Sequence, residues 1–213
     1  MSEWQIVDGD CLASLAEIDH ADCVITDPPY CSGAFTETAR RQARGQGITR
    51  DVVRRRGWFA ADNMGTAGLV WLLRNVAIHA ARMLPTGASS AFFTDWRQVP
   101  NLAPAIESSG LRWSDLLVWD KGSAGLGTGF RAQHEIALVY TNGPGKFHSA
   151  ESGNVIRALR VPSPERLHQA EKPQDLLRTM VRVMCPPGGL IVDPFCGSGS
   201  VGVAALAEGR HYL

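Results

Sequence analysis

The chain has 213 residues, 45% of them hydrophobic, and its 21 lysines and arginines balance 21 aspartates and glutamates. That is apolar chain enough for one full core, in a single domain over residues 1–213. A neutral balance excludes a molecule that is basic all over, so any affinity for a polyanion has to come from local clustering. The five cysteines (Cys11, Cys23, Cys31, Cys185 and Cys196) are odd in number and lack CxxC spacing. This argues against a disulfide framework or a metal site and fits a reducing cytoplasm. The N-terminus has neither a basic nor an apolar leader stretch, and no apolar run reaches the ~20 residues that span a bilayer, so no membrane partner is expected.

In chain order, Trp4 to Val7 reads as a short strand that turns at Asp8-Gly9-Asp10. Leu12, Leu15, Ala16 and Ile18 fall near helical spacing and predict a helix over Cys11 to Ile18. Ala21 to Thr26 reads as a buried strand ended by Asp27-Pro28-Pro29-Tyr30, because proline cannot donate to a ladder and restricts its predecessor. Residues 31–66 change texture: Arg40, Arg41, Arg44, Arg50, Arg54, Arg55 and Arg56 stand against only Glu37 and Asp51, in a setting of Gly, Thr and Gln. They are expected to form a long loop with a helical turn around Asp51 to Arg56, and a loop of that length in a compact domain is functional or disordered.

Leu69, Leu72, Leu73, Val76, Ala77, Ala80 and Met83 predict a helix over Thr66 to Met83, stopped at Pro85-Thr86-Gly87. A strand over Ala88 to Thr94, a helix over Val99 to Ser109 and a strand over Trp113 to Trp119 follow. A connector from Gly122 to Gly129 leads to a strand over Glu135 to Thr141. Residues 143–167, with Pro162 and Pro164, read as a second irregular region. Lys172-Pro173 opens a helix over Gln174 to Met184, since proline is favourable where a helix begins. A last strand, Gly189 to Val192, runs into Asp193-Pro194-Phe195-Cys196-Gly197-Ser198-Gly199-Ser200 and a helix over Val201 to Ala207. Strands alternating with helices predict an α/β fold, a three-layer sandwich around a mostly parallel sheet.

Two strand ends carry chemistry. A glycine turn between strand and helix brings bare backbone to a ligand and aims the positive end of the helix at it. In an open α/β sheet ligands bind at the carboxyl ends of strands, so this turn and Asp27-Pro28-Pro29-Tyr30 would face one crevice. A glycine turn this late in a chain is unusual for a nucleotide site, and the upstream motif accounts for it.

The pair resembles the amino-methyltransferases that modify exocyclic nitrogens in DNA, which join a [DNS]PP[YFW] catalytic motif to an FxGxG cofactor motif. With the catalytic motif first, and His168-Gln169-Ala170-Glu171-Lys172-Pro173 ahead of the cofactor strand, the chain is similar to their β-class. Asp8-Gly9-Asp10-Cys11-Leu12, Trp119-Asp120-Lys121 and His134-Glu135 extend the resemblance over nearly the whole length. It implies a Rossmann-like class I methyltransferase fold in circularly permuted order, with S-adenosylmethionine as cofactor and double-stranded DNA as partner; a homodimer is left open.

On that resemblance Asp27, Pro28, Pro29 and Tyr30 are the catalytic residues. An exocyclic amino group is a poor nucleophile because its lone pair is delocalised into the ring; the Asp27 carboxylate and the Pro28 carbonyl can accept from it and free the pair. Tyr30 offers a face for a base that must leave the duplex to be reached. For the cofactor, Gly197 and Gly199 allow close approach, Phe195 packs beside it, and Ser198 or Ser200 holds its carboxylate, with Lys172 paired to the same carboxylate. Asp10 and Cys11 match the adenine-contacting position, and Asp193 either touches the ligand or holds the turn together. The seven arginines of residues 31–66 are read as a clamp on DNA phosphates, and residues 143–167 as a short target-recognition region.

Plainer roles are expected for other residues: His168 and Glu171 as helix caps, His134-Glu135 as a hydrogen-bonding pair at a strand end, and Cys31 as packing. Trp58, beside the arginines, is a candidate for base or sugar contact. An aspartate at the head of the catalytic motif leans to adenine N6 over cytosine N4. The sequence stops at His211-Tyr212-Leu213, inside the next expected strand and before the acidic residue with which relatives hold the cofactor ribose. A DNA-binding relative that has lost its cofactor is therefore the competing reading.

Overall fold

The computed structural model describes residues 2–30, 64–125, 128–160 and 171–213. Seven strands form one sheet: β1 (Cys23–Thr26), β2 (Ser89–Thr94), β3 (Arg112–Asp120), β4 (His134–Thr141), β5 (Val155–Arg157), β6 (Leu190–Val192) and β7 (His211–Tyr212). Their spatial order is β5-β3-β4-β2-β1-β6-β7. β7, β6, β1 and β2 run parallel, β5 runs parallel to β3, and β4 opposes both β2 and β3. The helices are α1 (Cys11–Ala16), α2 (Thr66–Met83), α3 (Val99–Glu107), α4 (Gln174–Met184) and α5 (Ser200–Ala207).

Both faces of the sheet are covered, so its central strands are buried along their whole length. Alternate residues serve opposite layers. Val24, Phe92, Leu138 and Tyr140 pack with Leu69, Leu73 and Val76 of α2 and with Leu102 and Ile106 of α3. Cys23, Ile25, Ala91 and Phe93 pack with Leu176, Leu177 and Met180 of α4 and with Val201 and Ala204 of α5. This is the predicted three-layer arrangement with a mostly parallel sheet. Among the described residues no helix is long and apolar enough to cross a membrane.

Three expectations on local structure change. The strand expected over Trp4 to Val7 reduces to a single bridge, Trp4 with Tyr212, flanked by Gln5 N to Tyr212 O at 3.0 Å. Tyr212 N also donates to Glu3 O at 3.1 Å, and β7 is only two residues long. α1 ends at Ala16 rather than Ile18, because the Arg82 guanidinium takes the carbonyls of Leu15, Ala16 and Ile18 at 2.8, 3.2 and 2.9 Å. Those are the acceptors that a helix end leaves unpaired. Residues 143–167 are not wholly irregular: Val155–Arg157 adds a strand to the free edge of β3, too short for periodicity to announce. The helical turn expected around Asp51 to Arg56 lies outside the described residues.

The packing of α5 on β7 rests on one missing side chain. A Cβ on Gly202 would stand 2.8 Å from the Tyr212 ring, in a site buried on every side. Gly202→Val is therefore expected to destabilise the fold by about 1–3 kcal/mol or more through overpacking. A urea denaturation midpoint unchanged from wild type would contradict this.

Candidate active site

β1 and β6 are parallel neighbours, so the chain leaves both at one edge, through Asp27 and Asp193. Asp193 knits that edge together. Its Oδ1 accepts from Thr26 Oγ1 at 2.6 Å and from the Phe195 backbone N–H at 3.1 Å, and its Oδ2 accepts from the Tyr212 hydroxyl at 3.2 Å. Burial pushes this carboxyl up to about 6, against the hydrogen bonds that favour its charged form. Of its two expected roles, the geometry gives Asp193 that of holding the turn.

The turn itself requires glycine. Gly197 and Gly199 have φ of +49° and +73°, the left-handed region that a side chain disfavours. A Cβ on Gly199 would meet nothing within 4 Å, and one on Gly197 only the Phe195 carbonyl at 3.8 Å. Space in front of the turn is thus open, and the glycines answer to backbone conformation rather than to internal crowding. Gly199 is the N-cap of α5, with no side-chain hydrogen bond at the cap. The first amides of α5 have no intrahelical partner and carry the positive end of the helix dipole, a setting made for a carboxylate. Ser198 and Ser200 are half-buried beside it, and Phe195 and Cys11 both pack at the margin of the core cluster under α2. Open space, free amides, hydroxyls and an aromatic edge fit a cofactor with an amino-acid end and a nucleoside end. Asp10 is exposed and caps α1, its Oδ1 accepting from Leu12 N and Ala13 N at 3.0 Å each.

The other half of the edge is a charge cluster. The Lys172 ammonium pairs with Asp27 Oδ2 and lies 3.3 Å from Glu135 Oε2. Glu135 Oε2 accepts from the Tyr30 hydroxyl at 2.9 Å, and its Oε1 pairs with Lys121 Nζ at 2.5 Å. Lys172 Nζ also stands 5.3 Å from the Tyr30 ring centroid and 5.0 Å from that of Phe93. Two carboxylates and two ammoniums close into a network that fixes the tyrosine ring from its hydroxyl and from its face. Asp27 Oδ1 is buried with no hydrogen-bond partner. An orphaned carboxylate oxygen is costly unless a donor arrives with the ligand.

The electrostatics are uneven across the cluster. Burial raises the Asp27 carboxyl above its ordinary range, and Lys172 opposes without overcoming it. Burial acts on Glu135 in the same sense, but Lys172 and Lys121 outweigh it and hold that carboxyl low. Burial would depress Lys172, yet Asp27 and Glu135 raise it above the usual lysine range.

The sequence profile of the N6/N4 methyltransferase family, described as DNA methylase, matches residues 21–213. The chain belongs to this family. It is 26% identical to the methylase YubD of Escherichia coli (strain K12) over 211 residues, covering 98% of this chain and 82% of that one. Among solved structures it resembles PvuII DNA methyltransferase (cytosine-N4-specific), with a TM-score of 0.74 at 15% identity over 100% of this chain and 81% of that one. It also resembles the complex of M1.HpyAVI with SAM, with a TM-score of 0.67 at 19% identity over 98% and 91% of the two chains. These likenesses confirm the Rossmann-like fold expected from sequence.

The structure of this DNA methylase family member gathers Asp27, Pro28, Pro29 and Tyr30 at one strand end and Asp193 to Ser200 at its neighbour. Asp10 and Cys11 lie at the start of α1, Cys11 packed against the same core cluster as Phe195. Lys172 sits on the Asp27 side of the crevice, bound to two carboxylates of the chain. Arg40, Arg41, Arg44, Arg50, Arg54, Arg55 and Arg56 lie outside the described residues, as do Cys31, Trp58 and His168. Glu135 and Lys121 stand in motifs that the sequence marks, but their place in the charge cluster is not readable from sequence alone. The expected His134-Glu135 pair does not form a unit: His134 is exposed, while Glu135 turns into the cluster. The signal was the hairpin. β4 runs against its neighbours, so its first residues sit where β1 ends, in register Trp119 with Glu135 and Asp120 with His134.

Proposed function

We propose that this protein methylates the N6 amino group of an adenine flipped out of double-stranded DNA, with S-adenosylmethionine as methyl donor. The observation that carries this reading is the buried, unpartnered Oδ1 of Asp27, at the mouth of a strand adjoining the glycine turn. An exocyclic amino group supplies the donor that this oxygen lacks. Accepting from it draws the nitrogen toward tetrahedral geometry, frees its lone pair, and becomes more favourable as positive charge develops there. Tyr30, its ring fixed by Glu135 and Lys172, gives the extruded base a face to stack on, of order 1–3 kcal/mol. Bound at the turn, S-adenosylmethionine supplies an electrophilic methyl on a sulfonium centre. Gly197, Gly199 and the amides of α5 would hold its amino-acid end, with Ser198 and Ser200 on the carboxylate, Phe195 beside it, and Asp10 and Cys11 toward the adenosine. The rest of catalysis is alignment.

Adenine is preferred because the catalytic motif begins with aspartate. Incubating the protein with tritiated S-adenosylmethionine and unmethylated duplex DNA, then digesting to nucleosides, decides it. N6-methyladenine in the product supports the proposal, N4-methylcytosine moves the reaction to cytosine, and no labelled nucleoside from protein that binds both ligands makes the chain a non-catalytic relative.

DNA has a natural approach along the same edge. The connector from β3 to β4 opens there and carries a fully exposed Phe130 next to exposed Arg131. The end of β5 and the residues after it present exposed Arg157, Arg160 and a 71% exposed Leu159, with Arg157 and Leu159 lying against Gly122 of the connector. Cations interleaved with apolar side chains suit phosphates flanking a displaced base. Phe130→Ala with Arg131→Ala is expected to weaken duplex binding about tenfold and to reduce the slope of log K against log salt by about 1. Replacing Arg54, Arg55 and Arg56 by alanine is expected to flatten it by up to about 3. An unchanged affinity and slope in either variant, measured by fluorescence anisotropy, removes that surface from the interface.

A further inference from the structure

We propose that Lys172 and Glu135 are positioning residues, Lys172 holding one oxygen of Asp27 and Glu135 anchoring Lys172 and Tyr30, so that Asp27 Oδ1 stays free for the incoming amino group, and that Lys172 is not a ligand of the cofactor carboxylate. The inference rests on the methyltransferase reading of the site and deepens it. A lysine just before the α4 proline, near a glycine turn, suits a cofactor-binding role in sequence. In the fold its side chain is 4% exposed and its ammonium is divided between Asp27 Oδ2 and Glu135 Oε2. Reaching an anion at the glycine turn would leave Asp27 buried without its counter-charge and Glu135 with Lys121 alone, and breaking a buried pair in this way is strongly destabilising.

Each member of the network has a directional task. Lys172 binds one oxygen of Asp27 and leaves the other bare, so the carboxylate meets the substrate through a single atom of fixed position. Glu135 takes the remaining reach of Lys172 and the Tyr30 hydroxyl on one oxygen, and Lys121 on the other. Its negative charge offsets the pull of Lys172 on Asp27, which must remain a ready acceptor. The groups that face Asp27 are Lys172 from the start of α4, Glu135 from β4, Tyr30 from its own loop and Asp193 at the end of β6. An opposite charge at contact distance lowers a carboxyl by about 1–3 units and a like charge raises it, so removing Lys172 and neutralising Glu135 should move Asp27 in opposite directions.

The experiment is a carboxyl-13C NMR titration of Asp27 in the cofactor-free protein, with parallel calorimetry of S-adenosylmethionine binding and a kcat–pH profile. Lys172→Met should raise the Asp27 midpoint by about 1–3 units, carry the acid limb of kcat upward with it, and leave the Kd for S-adenosylmethionine within about threefold. Glu135→Gln keeps the shape and the acceptor for Tyr30, and should shift the midpoint downward. Its sign decides the matter even where Lys172→Met fails to fold. A tenfold or larger loss of cofactor affinity in Lys172→Met with an unmoved Asp27 midpoint would overturn the proposal, as would shifts of the same sign in both variants. The titration needs no turnover. A wild-type protein that transfers no methyl group to DNA would therefore defeat the methyltransferase reading while leaving the charge network tested on its own terms.

Discussion

Asp27→Ala is expected to lower kcat for methyl transfer by about 10³-fold, the scale on which a preorganised electrostatic partner of the reacting centre acts, with affinity for S-adenosylmethionine within a few-fold of wild type. The glycine turn is held by Asp193, Thr26 and Tyr212 rather than by Asp27, so losing the Asp27 carboxylate leaves the turn's own hydrogen bonds in place. The reaction loses the one buried carboxylate oxygen that has no internal partner among the described residues. Alanine also strips Lys172 of its closest counter-charge, leaving Glu135 to neutralise it, so a modest loss of stability accompanies the loss of rate. Asp27→Asn separates the two effects. The amide keeps the volume and an acceptor, and the rate should fall less steeply than with alanine. Single-turnover kinetics with pre-bound DNA make the comparison, and an alanine variant that kept a tenth of wild-type activity would remove Asp27 from the chemistry.

How much of this was legible in the sequence depends on the range of the interaction concerned. The helices over Thr66 to Met83 and Gln174 to Met184 could be read to the residue, because each carries its own apolar stripe and its own proline or glycine punctuation. The two strand-end motifs were legible for the same reason: each is a contiguous backbone device, two prolines after a strand or glycines before a helix. Glu135 was not. What makes it part of the site is the reversal of β4 within an otherwise mostly parallel sheet, which carries the first residues of that strand to the edge where β1 ends. No local pattern encodes that placement. Lys172 stands out in the sequence, but its place next to a helix start says nothing of which carboxylates its long side chain finds, here Asp27 and Glu135. The strand Val155–Arg157 was hidden by its length and by the glycine and asparagine ahead of it.

Asp193 should show the largest structural effect, and its two simplest replacements should part company. Alanine at 193 leaves the Thr26 hydroxyl, the Phe195 amide and the Tyr212 hydroxyl without their shared acceptor. At about 1–3 kcal/mol for each buried donor left unpaired, with the hydroxyls free to turn, a loss on the order of 3–5 kcal/mol is expected, a large part of the roughly 5–15 kcal/mol typical of a domain. The turn would lose its anchor with it, and cofactor affinity should drop by about 100-fold or more. Asparagine keeps an acceptor for Thr26 and Phe195 and asks only that the Tyr212 hydroxyl reverse, so most of the stability should remain.

The pair also reports on charge. Burial holds the Asp193 carboxyl at about 6 in the folded chain, against an ordinary value of 3.8. Between those values the folded state binds the proton more tightly than the unfolded chain does. The stability owed to this group is therefore complete below about pH 4 and is lost as the pH rises through about 6, by on the order of 3 kcal/mol in all. Measured as the difference in urea stability between wild type and Asp193→Asn, that loss should develop between pH 4 and 6 and level off above. A difference that stayed flat across this range, or that favoured wild type increasingly with pH, would mean that the Thr26, Phe195 and Tyr212 donors hold the charge more firmly than burial opposes it. The site would then keep an ionised carboxylate behind the cofactor turn throughout the acid range.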